Sequence, residues 1–358
     1  MIKVAQLTKY SQLGASTRQR FEQYHPYLQA AGIAVDPQPL FDDDYLQALY
    51  EENHRRPWQV AARYIQRLRW LMTNRDTDVL WVHCEAFPYL PGIFEALLHL
   101  PGKPIIFDFD DAIFHNYDLH RNPVIRAILG KKLKRTLSAA QTTFCGNRYL
   151  EEYAQRYAQD TMIVPTVVDT EIYTLRKPAE PHRVDHIGWI GTPSTWTEYM
   201  APMMPLLGDV AAANNCRITA IGAGNAAPHP LLDNLPWTEQ TEVARIQGMD
   251  IGVMPLTDTP WARGKCGYKL IQYMACGIPV VASPVGVNAD IVEHGVNGFL
   301  ATTDAEWREA LTRLLADPAL RNTMGAAGRR KVQERFSIQV WGPKIAAVIA
   351  DIARKADR

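Results

Sequence analysis

No stretch of the 358 residues approaches the roughly 18 consecutive apolar positions that a membrane-spanning helix needs, so the chain is expected to be soluble or peripheral. Cysteine is scarce. Cys84, Cys145, Cys216, Cys266 and Cys276 are odd in number and widely spaced, which argues against a disulfide framework and for reduced thiols in a cytosol. No CxxC pair and no Cys/His run has zinc-ligand spacing, so no structural metal is expected. Net charge is absent too: Lys plus Arg and Asp plus Glu each total 38, so any affinity for nucleic acid or membrane must come from a local patch. The opening MIKVAQLTKY lacks the long apolar region and small-residue cleavage site of a signal peptide and reads as a strand; the expectation is a cytoplasmic protein. Internal repeats and low-complexity tracts are also missing.

What is present is ordinary globular composition, 47% hydrophobic and 21% charged, in a chain about twice the usual domain length, which predicts two cores. Short β-rich runs alternate with longer amphipathic ones: IKVAQL, TDVLWVHC, KPIIFDFDD, TTFCGN and TMIVPTVVD, then, after the polar stretch Leu175 to Asp185, HIGWIG, CRITAIGAG, MDIGVMPL and GIPVVASP. Two such series predict an α/β fold of two Rossmann-like doubly wound parallel sheets, with 175–185 as linker. Ligands of such sheets bind beyond the carboxyl ends of the strands, so a cleft between facing domains is the expected site. The last segment, about 336–354, has helical spacing.

The richest stretch runs from Met249 to Leu300. A strand at 251–256 enters a polar loop, then a helix from about Gly267 to Ala275, a stop at Gly277 and a buried strand at 279–282. The start of that helix offers unpaired N–H groups and a positive dipole end beside Lys265 and Lys269, which is the chemistry a diphosphate requires. Solvated surface lysines are the plainer reading of the same residues.

The string KLIQYMACGIPVVASPVGVNADIVEHGVNGFL (269–300) resembles the C-terminal signature of the GT-B glycosyltransferases, in particular glycosyltransferase family four, the glycosyl transferases group 1. HIGWIGTPST and ITAIGAG resemble the first two strands of the same donor domain. The likeness covers most of 184–301, while the N-terminal half matches weakly. It implies an N-terminal acceptor domain (1–183, with the terminal helix of about 341–358 crossing back to it) and a C-terminal nucleotide-sugar domain (184–340). The resemblance further implies transfer of a sugar from a nucleotide-diphosphate sugar to a hydroxyl acceptor, with retention of configuration, no metal and no other cofactor.

In the family, two Glu separated by seven residues hold the donor sugar and the ribose. Here the first position falls on Gly264 and the second on Gln272, whose amide still hydrogen-bonds a diol. Lys269 matches a family lysine, and with Lys265 it is expected to neutralise the leaving diphosphate. Gly191, Thr192, Ser194 and Thr195 take the place of a basic loop, and Trp237 and Glu242 fall where relatives contact base and ribose.

In the N-terminal half, Gly14, Ala15 and Arg18 form a small-residue loop and helix start where relatives place a glycine loop against donor phosphate and sugar; an ordinary strand-to-helix turn is the alternative. Asp110 and Asp111, in FDFDDAIF, fall where relatives carry a His-Asp pair, which makes Asp110 the catalytic candidate and Asp111 an acceptor-binding one. Clustered carboxylates at a strand end also raise one another's pKa, hold a metal, or simply form a solvated loop. Glu85, after another strand, is expected to bind the acceptor or cap the next helix. The stretches 55–75 and 121–135 carry six cations each, the first interleaved with Trp58, Tyr64 and Trp70. They suit either a solvated face or an anionic membrane surface, with nucleic acid disfavoured by the zero net charge.

The reading is therefore a cytoplasmic glycosyltransferase at the inner membrane face, acting on a glycan or lipid-linked acceptor in bacterial-type surface polysaccharide or glycolipid assembly. A nucleotide-sugar epimerase of the same fold and a non-catalytic partner subunit are the alternatives.

Overall fold

A computed structural model describes residues 1–12, 14–45, 57–176, 184–226 and 228–356. The chain forms two compact units. The first comprises Met1–Thr166, Gly264–Cys266 and the terminal segment from Trp341; the second comprises Val167–Arg263 and Gly267–Val340. The boundary drawn at 183 falls on 177–183, outside the described residues, and the segment from Val167 to Arg176 already belongs to the second unit.

The first unit holds a six-stranded parallel sheet in the order β2-β1-β3-β4-β5-β6, with β1 Ile2–Tyr10, β2 Ile33–Phe41, β3 Val79–His83, β4 Ile105–Phe109, β5 Thr142–Cys145 and β6 Thr161–Ile163. β3 (VLWVH) and β4 (IIFDF) are buried along their whole length, because helices cover both faces of such a sheet and select near-continuous apolar runs. Asp108 is the exception within β4. Its carboxylate accepts from Arg20 Nε and Nη2 (3.0 and 2.6 Å) and from Trp81 Nε1 (3.1 Å), while Arg20 Nη1 donates to the Val164 carbonyl at 2.7 Å. Both side chains of the pair are 1% exposed. The short helix Ala15–Arg20 is thereby fixed to the centre of the sheet.

The second unit repeats the plan with β7 His186–Ile190, β8 Arg217–Ile221, β9 Leu232–Leu235, β10 Ile251–Met254, β11 Val280–Ala282 and β12 Gly298–Leu300, ordered β12-β11-β10-β7-β8-β9 and parallel throughout. The strand order reverses between β7 and β10, and between β1 and β3 in the first unit. Those are the places where the carboxyl ends of a doubly wound sheet open a crevice. The terminal helix Ile338–Ala356 begins in the second unit and joins the first from Trp341 onward. Among the described residues no helix is long and apolar enough to cross a membrane.

Removing Arg20 leaves the Asp108 charge buried without its counter-ion, a change that typically destabilises by about 3–5 kcal/mol. Arg20→Ala should therefore lower the unfolding free energy from urea denaturation of the first unit by that amount, seen as a lower midpoint. A midpoint within error of the parent would contradict the role assigned to the pair.

Candidate functional site

At the switch point of the second unit, β7 ends at Ile190 and turns through Gly191 into helical turns that run from Pro193 to Ala213. The turn is closed on itself: Thr192 N donates to Thr195 Oγ1 (3.0 Å), Thr195 N to Thr192 Oγ1 (3.4 Å), and the Thr192 and Ser194 hydroxyls lie 3.0 Å apart. Gly191 and Thr195 are half-buried, and Thr192 and Ser194 are exposed. The loop after β10 leads to the helix Tyr268–Ala275, entered through Gly267 at φ +65°, a left-handed conformation that favours glycine. Lys269 lies in its first turn, with Nζ 5.7 Å from the ring centre of the buried Trp189.

From the same helix Gln272, 3% exposed, donates its amide to Tyr173 Oη at 2.9 Å and to Glu242 Oε1 at 2.8 Å. Tyr173 in turn donates to Glu242 Oε1, and Trp237 Nε1 donates to Glu242 Oε2. Three sequence-stated candidates, Trp237, Glu242 and Gln272, thus meet in one network, and Tyr173 closes it. Burial first, then Tyr268 and Glu242, hold the Tyr173 phenol well above its ordinary pKa, so it remains a donor at neutral pH. Three donors converging on one half-buried carboxylate fix its plane and leave part of its acceptor capacity, roughly four lone-pair sites in all, for a further donor. Tyr173 was not foreseen, because it precedes the strands by which the second unit was recognised.

Gly264 is the position that the resemblance implies for the family's first carboxylate. A Cβ there would sit 2.8 Å from the Ala112 backbone nitrogen, so the residue is glycine because the chain packs directly on Ala112. Asn147 Nδ2 fastens this segment by donating to the carbonyls of Gly264 (2.9 Å) and Lys265 (3.0 Å). Gly264–Cys266 counts with the first unit and Lys269 with the second, so the two lysines read as one pair belong to different units.

In the first unit, Gly14 caps the six-residue helix Ala15–Arg20; Ala15 is exposed, and Arg18 Nη1 donates to the Gln12 carbonyl at 2.8 Å. At the end of β3 and β4, His83 Nε2 lies 3.2 Å from Asp110 Oδ1 and 3.3 Å from Cys84 Sγ. Burial alone would raise the Asp110 carboxyl, but the His83 hydrogen bond and the His83 and Arg20 charges together bring it below the ordinary range. The histidine beside Asp110 comes from the neighbouring strand β3. Asp111 is half-buried beside Asp110. Glu85 is held differently from expectation: Lys132 Nζ, fully buried, lies 2.9 Å from Glu85 Oε1 and 3.3 Å from Glu95 Oε1, and Tyr117 donates to Glu85 at 2.7 Å. Its carboxylate therefore balances a buried ammonium group.

Residues 185–317 match the sequence model of the family described as glycosyl transferases group 1. The chain resembles these glycosyltransferases, and its fold is GT-B. Human alpha-1,3/1,6-mannosyltransferase ALG2 is 41% identical over 71 residues, which are 20% of this chain and 17% of that protein. The alpha-maltose-1-phosphate synthase of Mycobacterium tuberculosis is 38% identical over 97 residues, 25% of this chain and 24% of that protein. The matched stretch thus spans less than a quarter of these curated relatives. Among solved structures, sucrose-phosphate synthase from Thermosynechococcus elongatus superposes with a TM-score of 0.72 at 15% identity, over 98% of this chain and 99% of that one. Anabaena HepE in complex with UDP-glucose gives 0.70 at 15%, over 98% and 100%.

Restoring the family carboxylate by Gly264→Glu should fail for steric reasons. The variant is expected to lose about 1–3 kcal/mol or more in urea unfolding; a variant as stable as the parent would refute the close packing on Ala112.

Proposed function

We propose that the protein is a glycosyltransferase that moves a sugar from a nucleotide-diphosphate sugar to a hydroxyl acceptor. The observation that carries this reading is the convergence of Trp237, Gln272 and Tyr173 on Glu242 in the unit that matches the group 1 family. Glu242 supplies the carboxylate for the ribose diol, and Gln272, standing where relatives carry that carboxylate, holds it in place. Trp237 flanks the base. Gly191, Thr192, Ser194 and Thr195 approach the phosphates, and Lys269, with the N–H groups of its helix, offsets the charge that develops as the diphosphate leaves. Lys265 and the Gly14, Ala15 and Arg18 turn belong to the first unit and are proposed as phosphate-binding groups there.

Departure stabilised by cations and backbone donors needs neither a metal nor a protein nucleophile, and the expected stereochemical course is retention. Asp110, kept ionised and oriented by His83, faces the acceptor hydroxyl with Asp111, while Glu85, paired with Lys132, holds the segment that follows β3. The missing carboxylate at 264 favours one other reading, a non-catalytic partner subunit that binds the donor without turning it over.

Incubation with individual UDP-, GDP- and dTDP-sugars and an acceptor pool separates these readings. Release of nucleoside diphosphate together with a glycosylated product is expected; binding without release would favour the partner subunit, and an altered sugar without acceptor would favour an epimerase. Lys269→Ala should reduce turnover by about 10²-fold or more with the melting temperature kept, on the scale of losing one charge-stabilising donor. Unchanged turnover would remove Lys269 from the diphosphate site.

The acceptor is assigned to the anionic membrane face, and the surface of the first unit between 93 and 135 supports this. Its exposed cations are Arg121, Arg126, Lys131, Lys134 and Arg135, its carboxylates are buried or half-buried, and Val124 and Ile128 are 60% and 57% exposed. The 57–73 helix contributes less than its composition suggests, since Arg67 is buried against the Thr8 and Gln38 carbonyls and Arg63 pairs with Asp42; Arg55 and Arg56 lie outside the described residues. Each cation near an anionic surface contributes about 1 kcal/mol. Vesicles containing phosphatidylglycerol should therefore co-sediment the protein, and neutral vesicles or Lys134→Glu/Arg135→Glu should not. Equal sedimentation in all three cases would contradict the assignment.

A further inference from the structure

The end of β3 in the first unit carries a grouping that sugar transfer does not require. His83, Cys84 and Asp110 present one ligand atom each, all within 4.8 Å of one another. His83 Nε2 lies 3.2 Å from Asp110 Oδ1 and 3.3 Å from Cys84 Sγ. Tetrahedral zinc, with bonds of about 2.0–2.3 Å, places neighbouring donor atoms roughly 3.3–3.6 Å apart, so His83 Nε2 already stands near ligand spacing from both partners, with Cys84 Sγ and Asp110 within 4.8 Å of each other. Imidazole, thiolate and carboxylate are the donor types zinc takes, and three protein ligands leave the fourth position to water.

The backbone at Cys84 points the same way. Cys84 has φ +62°, a left-handed conformation that a non-glycine residue rarely holds; such backbone strain is concentrated at ligand-binding and catalytic sites. Burial first, then the charges of Asp110, Glu85, Asp108 and Asp111, push the Cys84 thiol well above its ordinary pKa, so it keeps its proton until a metal displaces it. Arg20 offsets part of this charge by pairing with Asp108. Lys132 offsets that of Glu85 in the same way.

We propose that the first unit binds a divalent metal of zinc type through His83 Nε2, Cys84 Sγ and Asp110. Binding displaces the thiol proton of Cys84 to solvent and changes no oxidation state. Because the metal takes up Asp110, it acts as an inhibitor of the transfer reaction and not as its cofactor. The sequence hides this site, since Asp110 comes from the neighbouring strand 27 residues away.

Cobalt(II) is the probe, titrated into the reduced, chelator-stripped full-length protein. One equivalent should bind and produce a near-ultraviolet thiolate-to-cobalt charge-transfer band that zinc then removes. Cys84→Ser should abolish the band. Cys84→Gly, better suited to the left-handed backbone and so expected to fold, should do the same. His83→Ala should weaken binding more than about tenfold, while Cys266→Ser should keep the band. Absence of the band in the parent, or its persistence in both Cys84 variants, would overturn the proposal. The readout involves no nucleotide sugar, so it stands or falls apart from the donor reading; loss of zinc inhibition in Cys84→Ser is the corresponding test in the transfer assay.

Discussion

The amide of Gln272, donating at once to Glu242 and Tyr173, is the contact on which the donor reading depends. A buried amide surrounded by groups that only accept or can be turned to accept has one satisfactory orientation, and unsatisfied it would cost about 1–3 kcal/mol. In this chain the requirement is met by Glu242 of the helix Glu239–Gln247, which accepts from Gln272 of the helix Tyr268–Ala275. Trp237 and Tyr173 then follow as the groups that fix the plane of Glu242.

The first unit is organised by an analogous constraint. Asp108 sits in the middle of a fully buried strand, which is tolerable only because Arg20 and Trp81 satisfy it. That pairing anchors the first helix to the sheet and sets the local charge against which His83, Cys84 and Asp110 are arranged. Lys132 does the equivalent for Glu85 and Glu95. Buried ion pairs of this kind hold loops in position at the carboxyl ends of β3 and β4, where a doubly wound sheet places its ligands.

The alternation of strands and helices, the helix beginning at Gly267 and the long C-terminal signature were legible in the sequence because each is a local pattern of period, cap and spacing. The two parallel sheets and the clustering of Trp237, Glu242 and Gln272 follow from them. What was not legible are pairings without local pattern: Arg20 and Asp108 are separated by 88 residues, and Lys132 lies far along the chain from Glu85. Glu85 therefore read as an open acceptor group, and Arg67 as one more surface cation, until their partners were placed. Gly264 read as the loss of a carboxylate, whereas Ala112 shows that the position has no room for a side chain.

The most direct test of the donor reading is calorimetric titration of nucleoside diphosphates into the parent chain and Glu242→Gln, a substitution that keeps size and removes charge. The account predicts that one nucleoside diphosphate binds the parent selectively and that Glu242→Gln weakens it by tenfold or more, about 1.4 kcal/mol, since a charged acceptor for the ribose hydroxyls is lost. Equal affinity in the two proteins, or no binding of any nucleotide by the parent, would contradict it.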